Sequence, residues 1–123
     1  THLFLNRHPG GFDQPERLPL LFLPEAARMA REDCDREMPG RQLRLLHEKA
    51  QIARLQYLES SNQRILFTVR GHVIQSGSFN GQPLADSLPF QLDLELVPNP
   101  NLGLQASFPL VVRRLHRHEN PPR

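Results

Sequence analysis

The sequence predicts an α+β fold: an N-terminal extended arm, then one or two helices packed on an antiparallel sheet of three or four strands. Three observations carry this expectation. Apolar and polar residues alternate from Arg64 to Gln75 and again from Phe90 to Leu96, as half-buried antiparallel strands require. Ahead of them, Ala27, Ala30, Cys34 and Met38 recur at the three-and-four spacing of one helical face. The first 23 residues are interrupted by Pro9-Gly10-Gly11, Pro15 and Pro19, which rules out a regular helix there.

A length of 123 residues suits one domain, because two domains of half this size would each have a marginal core. The divisions are an arm over 1–23, an α+β domain over 24–115 and a flexible basic tail over 116–123. The arm carries Leu3, Phe4 and Leu5 and then Leu18, Leu20, Leu21 and Phe22. A contiguous apolar surface of that size is unfavourable in water, so the arm is expected to pack on its own sheet or on a partner.

Pro24 fits a first helical position, followed by Glu25 in an acidic first turn. Pro39-Gly40 is expected to end that helix, and its apolar stripe makes Cys34 a small buried hydrophobe. From Arg41 to Glu59 two patterns compete. Leu43, Leu46, Ala50, Ala53 and Tyr57 share a helical face, whereas Ala53, Leu55 and Tyr57 also alternate as a strand. We expect a helix to about Ala50 and then a strand.

Ile65, Phe67, Val69 and Val73 point to one face of the next strand, with Leu66, Thr68, Arg70 and His72 on the other. The polar stretch from Ser76 to Ser87 reads as a protruding loop. Phe90, Leu92, Leu94 and Leu96 then mark a strand. After Pro98-Asn99-Pro100-Asn101, a last strand places Leu104, Ala106, Phe108, Leu110 and Val112 on one face. Pro109 cannot donate to a ladder, so that strand should lie at an edge or carry a bulge. Arg113 to Arg123 is expected to fray. From 24 to 115 the layout resembles cystatin-type or nuclear-transport-factor-like folds, an architectural likeness with no family motif behind it.

The chemistry the sequence offers is sparse. A single cysteine excludes an intrachain disulfide and a cysteine-based zinc site. No Gly-x-Ser-x-Gly elbow and no phosphate-cradling glycine loop occurs, so no catalytic residue and no cofactor are assigned. His116 and His118 are two apart, with Glu119 beside them, and make only a weak metal candidate. The net charge is +2, carried by fourteen arginines and one lysine against thirteen carboxylates. Arg113, Arg114, Arg117 and Arg123, with His116 and His118, form the densest basic group, without the interleaved aromatics that stack single-stranded bases.

No apolar run reaches the roughly 18 to 20 residues that cross a bilayer. A first residue of Thr rather than Met is what a processed or excised domain would show, and the compartment stays open. The leading expectation is a non-enzymatic protein–protein interaction module, the soluble domain of a membrane-anchored or multi-subunit complex. It would engage another protein, or a second copy, through Leu18, Leu20, Leu21, Phe22, Pro109, Arg113, Arg114 and Arg117. The alternatives are a nucleic-acid-binding domain using the Arg-rich C-terminal segment, and a small-ligand pocket protein or enzyme on a nuclear-transport-factor-like fold.

Overall fold

The computed structural model describes residues 1–100 and 109–119. The chain opens with a helical turn, α1 (His2–Leu5), and a corner of two short strands, β1 (Arg7–His8) and β2 (Gly11–Phe12). A 3-10 turn (Pro15–Arg17) and a second helical turn, α2 (Leu18–Leu21), lead into α3 (Pro24–Arg36) and α4 (Met38–Leu43). Four longer strands follow: β3 (His47–Ser60), β4 (Ile65–Phe79), β5 (Gln82–Pro98) and β6 (Leu110–Arg117). All pairings between these strands are antiparallel and the order is β2-β1-β3-β4-β5-β6.

The expected three- or four-stranded sheet under packed helices is therefore incorrect. So is the cystatin-type or nuclear-transport-factor-like layout drawn from it. The protein is dominated by a six-stranded antiparallel sheet curled into a half-barrel. Two misread segments account for most of the difference. The stretch from 41 to 59 forms helix only as far as Leu43, and β3 is already running at His47. Good helical propensity there is overridden by a ladder with β4 that runs from the His47–Ser76 pair to the Ser60–Ile65 pair. The polar stretch from Ser76 to Ser87 is not a loop, because β4 and β5 stay paired up to Phe79 and Gln82. The reversal is made by Asn80-Gly81 alone, both at positive φ (52° and 78°), the backbone that a two-residue hairpin turn demands.

The helix boundary also differs from expectation. Helix α3 stops at Arg36, and Pro39 sits in the first turn of α4, where its missing N–H costs nothing. As the stripe requires, Ala27, Ala30 and Cys34 are buried, together with Ala26. They share one core with Phe67, Val69 and Val73 of β4 and Phe90, Leu92 and Leu94 of β5.

The N-terminal segment is not an extended arm. Phe4, Leu5, Phe12, Leu18 and Phe22 all belong to that same core, so short helical turns bend the segment back into the open side of the half-barrel. Arg7 fixes the arrangement although it is only 1% exposed. Its Nη2 donates to Asp33 Oδ2 at 2.9 Å, its Nε donates to the Phe4 carbonyl at 3.0 Å, and its guanidinium lies 4.8 Å from the Phe4 ring centroid. Arg117 of β6 reaches the same Asp33 oxygen at 3.3 Å. One carboxylate on α3 thus ties the N-terminal segment to the last strand.

Residues Arg113 to Arg117 are strand, not a fraying tail. The predicted strand positions Leu104, Ala106 and Phe108 lie outside the described residues, as does the tail over 120–123.

Candidate functional site

A sheet that curls without closing leaves edges, and each edge of this one is treated differently. On the side of β5 that faces β6, no strand pairs with 82–90 among the described residues, and that stretch carries Pro83 and Pro89, whose missing N–H groups blunt it. The outer side of β6 is partly covered by the N-terminal segment. Phe22 bridges Val112 in parallel, and Leu23 N–H donates to the Val112 carbonyl at 2.8 Å. The edge of β3 is covered only at its start, by the Arg7–Glu48 pairing and by the Asn6 side chain, whose Oδ1 accepts from Ala50 N–H at 2.8 Å. From 51 to 60 no strand covers it among the described residues, and it contains no proline.

That edge also carries the apolar side chains that ought to be inside. Ile52, Leu55 and Tyr57 pair in register with Gly71, Val69 and Phe67, on the face of β4 that builds the core. Yet they are 43%, 45% and 67% exposed, and Leu58 beside them is 59% exposed. The Tyr57 ring rests 6.1 Å from the Phe67 ring, so the apolar surface continues from the core out to the edge. Register shifts between Ile52 and Arg54 and between Tyr57 and Glu59 interrupt the ladder. They leave Arg54 to Tyr57 as a short, regularly paired window, too short to template open-ended association.

The polar face of the same window has its own peculiarity. Arg54 stands directly opposite Arg70 in the β3–β4 ladder, both exposed. Neither has a carboxylate partner among the described residues. Two like charges paired across strands repel each other.

Around β5 and β6 the arginines are neutralised. Glu95 of β5, almost completely buried, ion-pairs with Arg113 and with Arg64 at 3.2 Å, and Arg114 approaches it to 3.9 Å. The hydrogen bond from Arg113 outweighs the cost of burial and holds the Glu95 carboxyl below the ordinary range. Burial by itself would raise the Asp93 carboxyl. Hydrogen bonds from His118, at 2.7 Å, and Thr68, at 2.8 Å, and the nearby histidines reverse the direction and hold it low. Glu95 and its arginines border a cleft of about 840 Å³, together with Glu25 and Met29 of α3 and Leu58 of β3.

Against this geometry the residues picked from sequence divide. Leu18 and Phe22 are buried in the core, Leu21 is partly buried against it, and Leu20 is exposed. Pro109 precedes β6, the outermost strand, and its carbonyl accepts from Asn99 N–H at 2.9 Å. Arg113 and Arg114 meet at Glu95, whereas Arg117 turns to Asp33 and Glu37. His116 and His118 lie edge to face with centroids 4.8 Å apart, and no group of three metal-binding side chains occurs among the described residues. Sequence reasoning missed the exposed edge of β3. Its signal was present in the Ala53, Leu55, Tyr57 alternation, but not the absence of a covering strand.

The fold and the edge together define a curled antiparallel-sheet domain in which residues 51–60 of β3 have neither a covering strand nor a proline among the described residues. No family model matches the chain, and no curated protein matches it. Among solved structures it is similar to the intermembrane space region of the chloroplast protein ARC6. The likeness has a TM-score of 0.52 at 12% identity and covers 85% of this chain and 77% of that one. At that identity it is a likeness of fold.

Proposed function

We propose that this chain is a non-enzymatic protein-interaction module that binds an extended segment of another protein along the free edge of β3. The observation that carries this reading is the contrast between edges. The open stretch of β5 has prolines and β6 has the N-terminal segment, whereas residues 51–60 present unpaired backbone beside exposed Ile52, Leu55, Tyr57 and Leu58. An added strand would satisfy that backbone and cover those side chains, the two sources of affinity in strand addition. The similar fold belongs to one region of a larger protein, in keeping with a domain of a multi-part assembly. No helix among the described residues is long and apolar enough to cross a membrane.

The nucleic-acid reading is less well supported, because Arg113 and Arg117 are already engaged by carboxylates that a phosphate backbone would have to displace. A pocket enzyme is no better served. Of the carboxylates bordering the cleft, Glu95 is already tied to Arg64 and Arg113, and Asp93 to His118 and Thr68.

A photo-crosslinking residue in place of Tyr57, tested in the cell that makes the protein, should give a discrete protein adduct. The same probe at Ser87 should not, and Leu55→Asp should abolish the adduct. Identical adducts from both positions, or none from Tyr57, would refute an interface at this edge.

A further inference from the structure

Resting on that reading, we infer that the segment received by β3 is acidic: an extended stretch in which carboxylate side chains alternate with apolar ones. Strand addition fixes which side chains face which surface, because alternate residues of an added strand point to opposite faces of the sheet. On the inner face its residues meet Ile52, Leu55 and Tyr57, so these positions are apolar. On the outer face the residue set opposite Arg54 becomes the third member of a cross-strand row whose other members are Arg54 and Arg70.

A cation in that place would add a third like charge to an unbalanced pair. The Cβ of an acidic residue there would stand about 5 Å from the Arg54 Cβ, with Arg70 one strand further along the same row. The row continues to Gln91 of β5, which offers no negative charge, so nothing within the row balances the pair. The contrast with the other lysine and arginine side chains on or beside strands β3 to β6 that carry ion pairs sharpens the point. Lys49, the other strand cation near this edge, already pairs with Asp13, and Arg64, Arg113 and Arg117 have their carboxylates. The two regular ladder positions on the outer face of the window are Arg54 and Gln56. Charge selection therefore falls mainly on one position of the incoming strand, and the two flanking bulges confine the pairing to a few residues.

Two soluble peptides of about ten residues test this, one alternating valine with glutamate and one alternating valine with lysine. Each is titrated into the isotopically labelled full chain at low salt. The glutamate peptide should shift the backbone amides of residues 51–60 and bind at least about tenfold more tightly than the lysine peptide. The preference should shrink in roughly 0.5 M salt. Arg54→Glu combined with Arg70→Glu should invert it. If that variant fails to fold, Arg54→Gln with Arg70→Gln should bring the two affinities together. Equal binding of both peptides at 51–60 would overturn the acidic partner while leaving the edge as an interface. Binding that shifts no amide in 51–60, with either peptide, would overturn both.

Discussion

Arg54 and Arg70 show how a residue pair can be understood only by what it lacks. Each is an ordinary exposed arginine in sequence, and the ladder alone makes them neighbours. In the unbound protein the repulsion is a cost, so Arg54→Gln should stabilise the free chain by about 0.2–1 kcal/mol in chemical denaturation. A loss of stability would mean that Arg54 has a favourable contact at rest. Glu95 is the opposite case, a carboxylate whose neighbours hold it ionised. Its folded value lies below its ordinary 4.5, as that of Asp93 lies below 3.8, so both lend stability that is complete above those values. That stability is lost as pH falls through the lower folded values. The thermal midpoint should fall on acidification below about pH 4.5, and Glu95→Gln, already less stable at pH 7, should show a shallower fall. A parallel decline in wild type and variant would remove Glu95 from the acid response.

At the scale of elements, β3 is shaped by its partner as much as by its own residues. The bulge after Ile52 faces Gly71, where the Gln51 carbonyl oxygen comes within 1.9 Å of the place a Cβ would occupy. Only a residue without that atom lets the two strands close, so Gly71 is the condition for the β3 ladder. Gly71→Ala should cost more than about 2 kcal/mol in denaturation and perturb the amides of residues 50–54, because the strands must separate or shift register. An unchanged midpoint would show that the backbone absorbs the methyl group freely. The β4–β5 hairpin depends in a similar way on Asn80-Gly81, a dipeptide with a strong two-residue-turn preference that the protruding-loop expectation for 76–87 left out.

For the whole molecule, the test of the N-terminal segment is its removal. Deleting residues 1–22 strips Phe4, Leu5, Phe12, Leu18 and Phe22 from the core and Arg7 from Asp33. Losses of this kind cost roughly 2–5 kcal/mol for each large side chain, well beyond the stability of a domain of this size. The truncated chain should therefore lose its cooperative thermal transition. A truncated domain that still melts cooperatively near the wild-type temperature would show that the segment is dispensable.

The inner faces of β4 and β5 were legible in the sequence because a strand with one dry face must alternate, and nothing distant alters that. The α3 stripe was legible for the same reason at a different period. The N-terminal segment was misread because its prolines exclude a long helix without excluding short turns, and only the curl of the sheet supplies the hollow those turns fill. The stretch from 41 to 59 was misread because helix propensity is a local preference of tenths of a kcal/mol per residue, whereas a fourteen-residue strand is held by a ladder. The candidate site was the least legible part. An edge is a strand with no neighbour, and which strands lack neighbours is decided by topology. By itself, then, the sequence determined which residues of β4, β5 and α3 turn inward, since burial periodicity is written along the chain. The tertiary structure alone decided that the sheet has six strands, that it curls around its own N-terminus, and that Arg54 meets Arg70 at an open edge. Each of those depends on pairings between residues far apart in sequence.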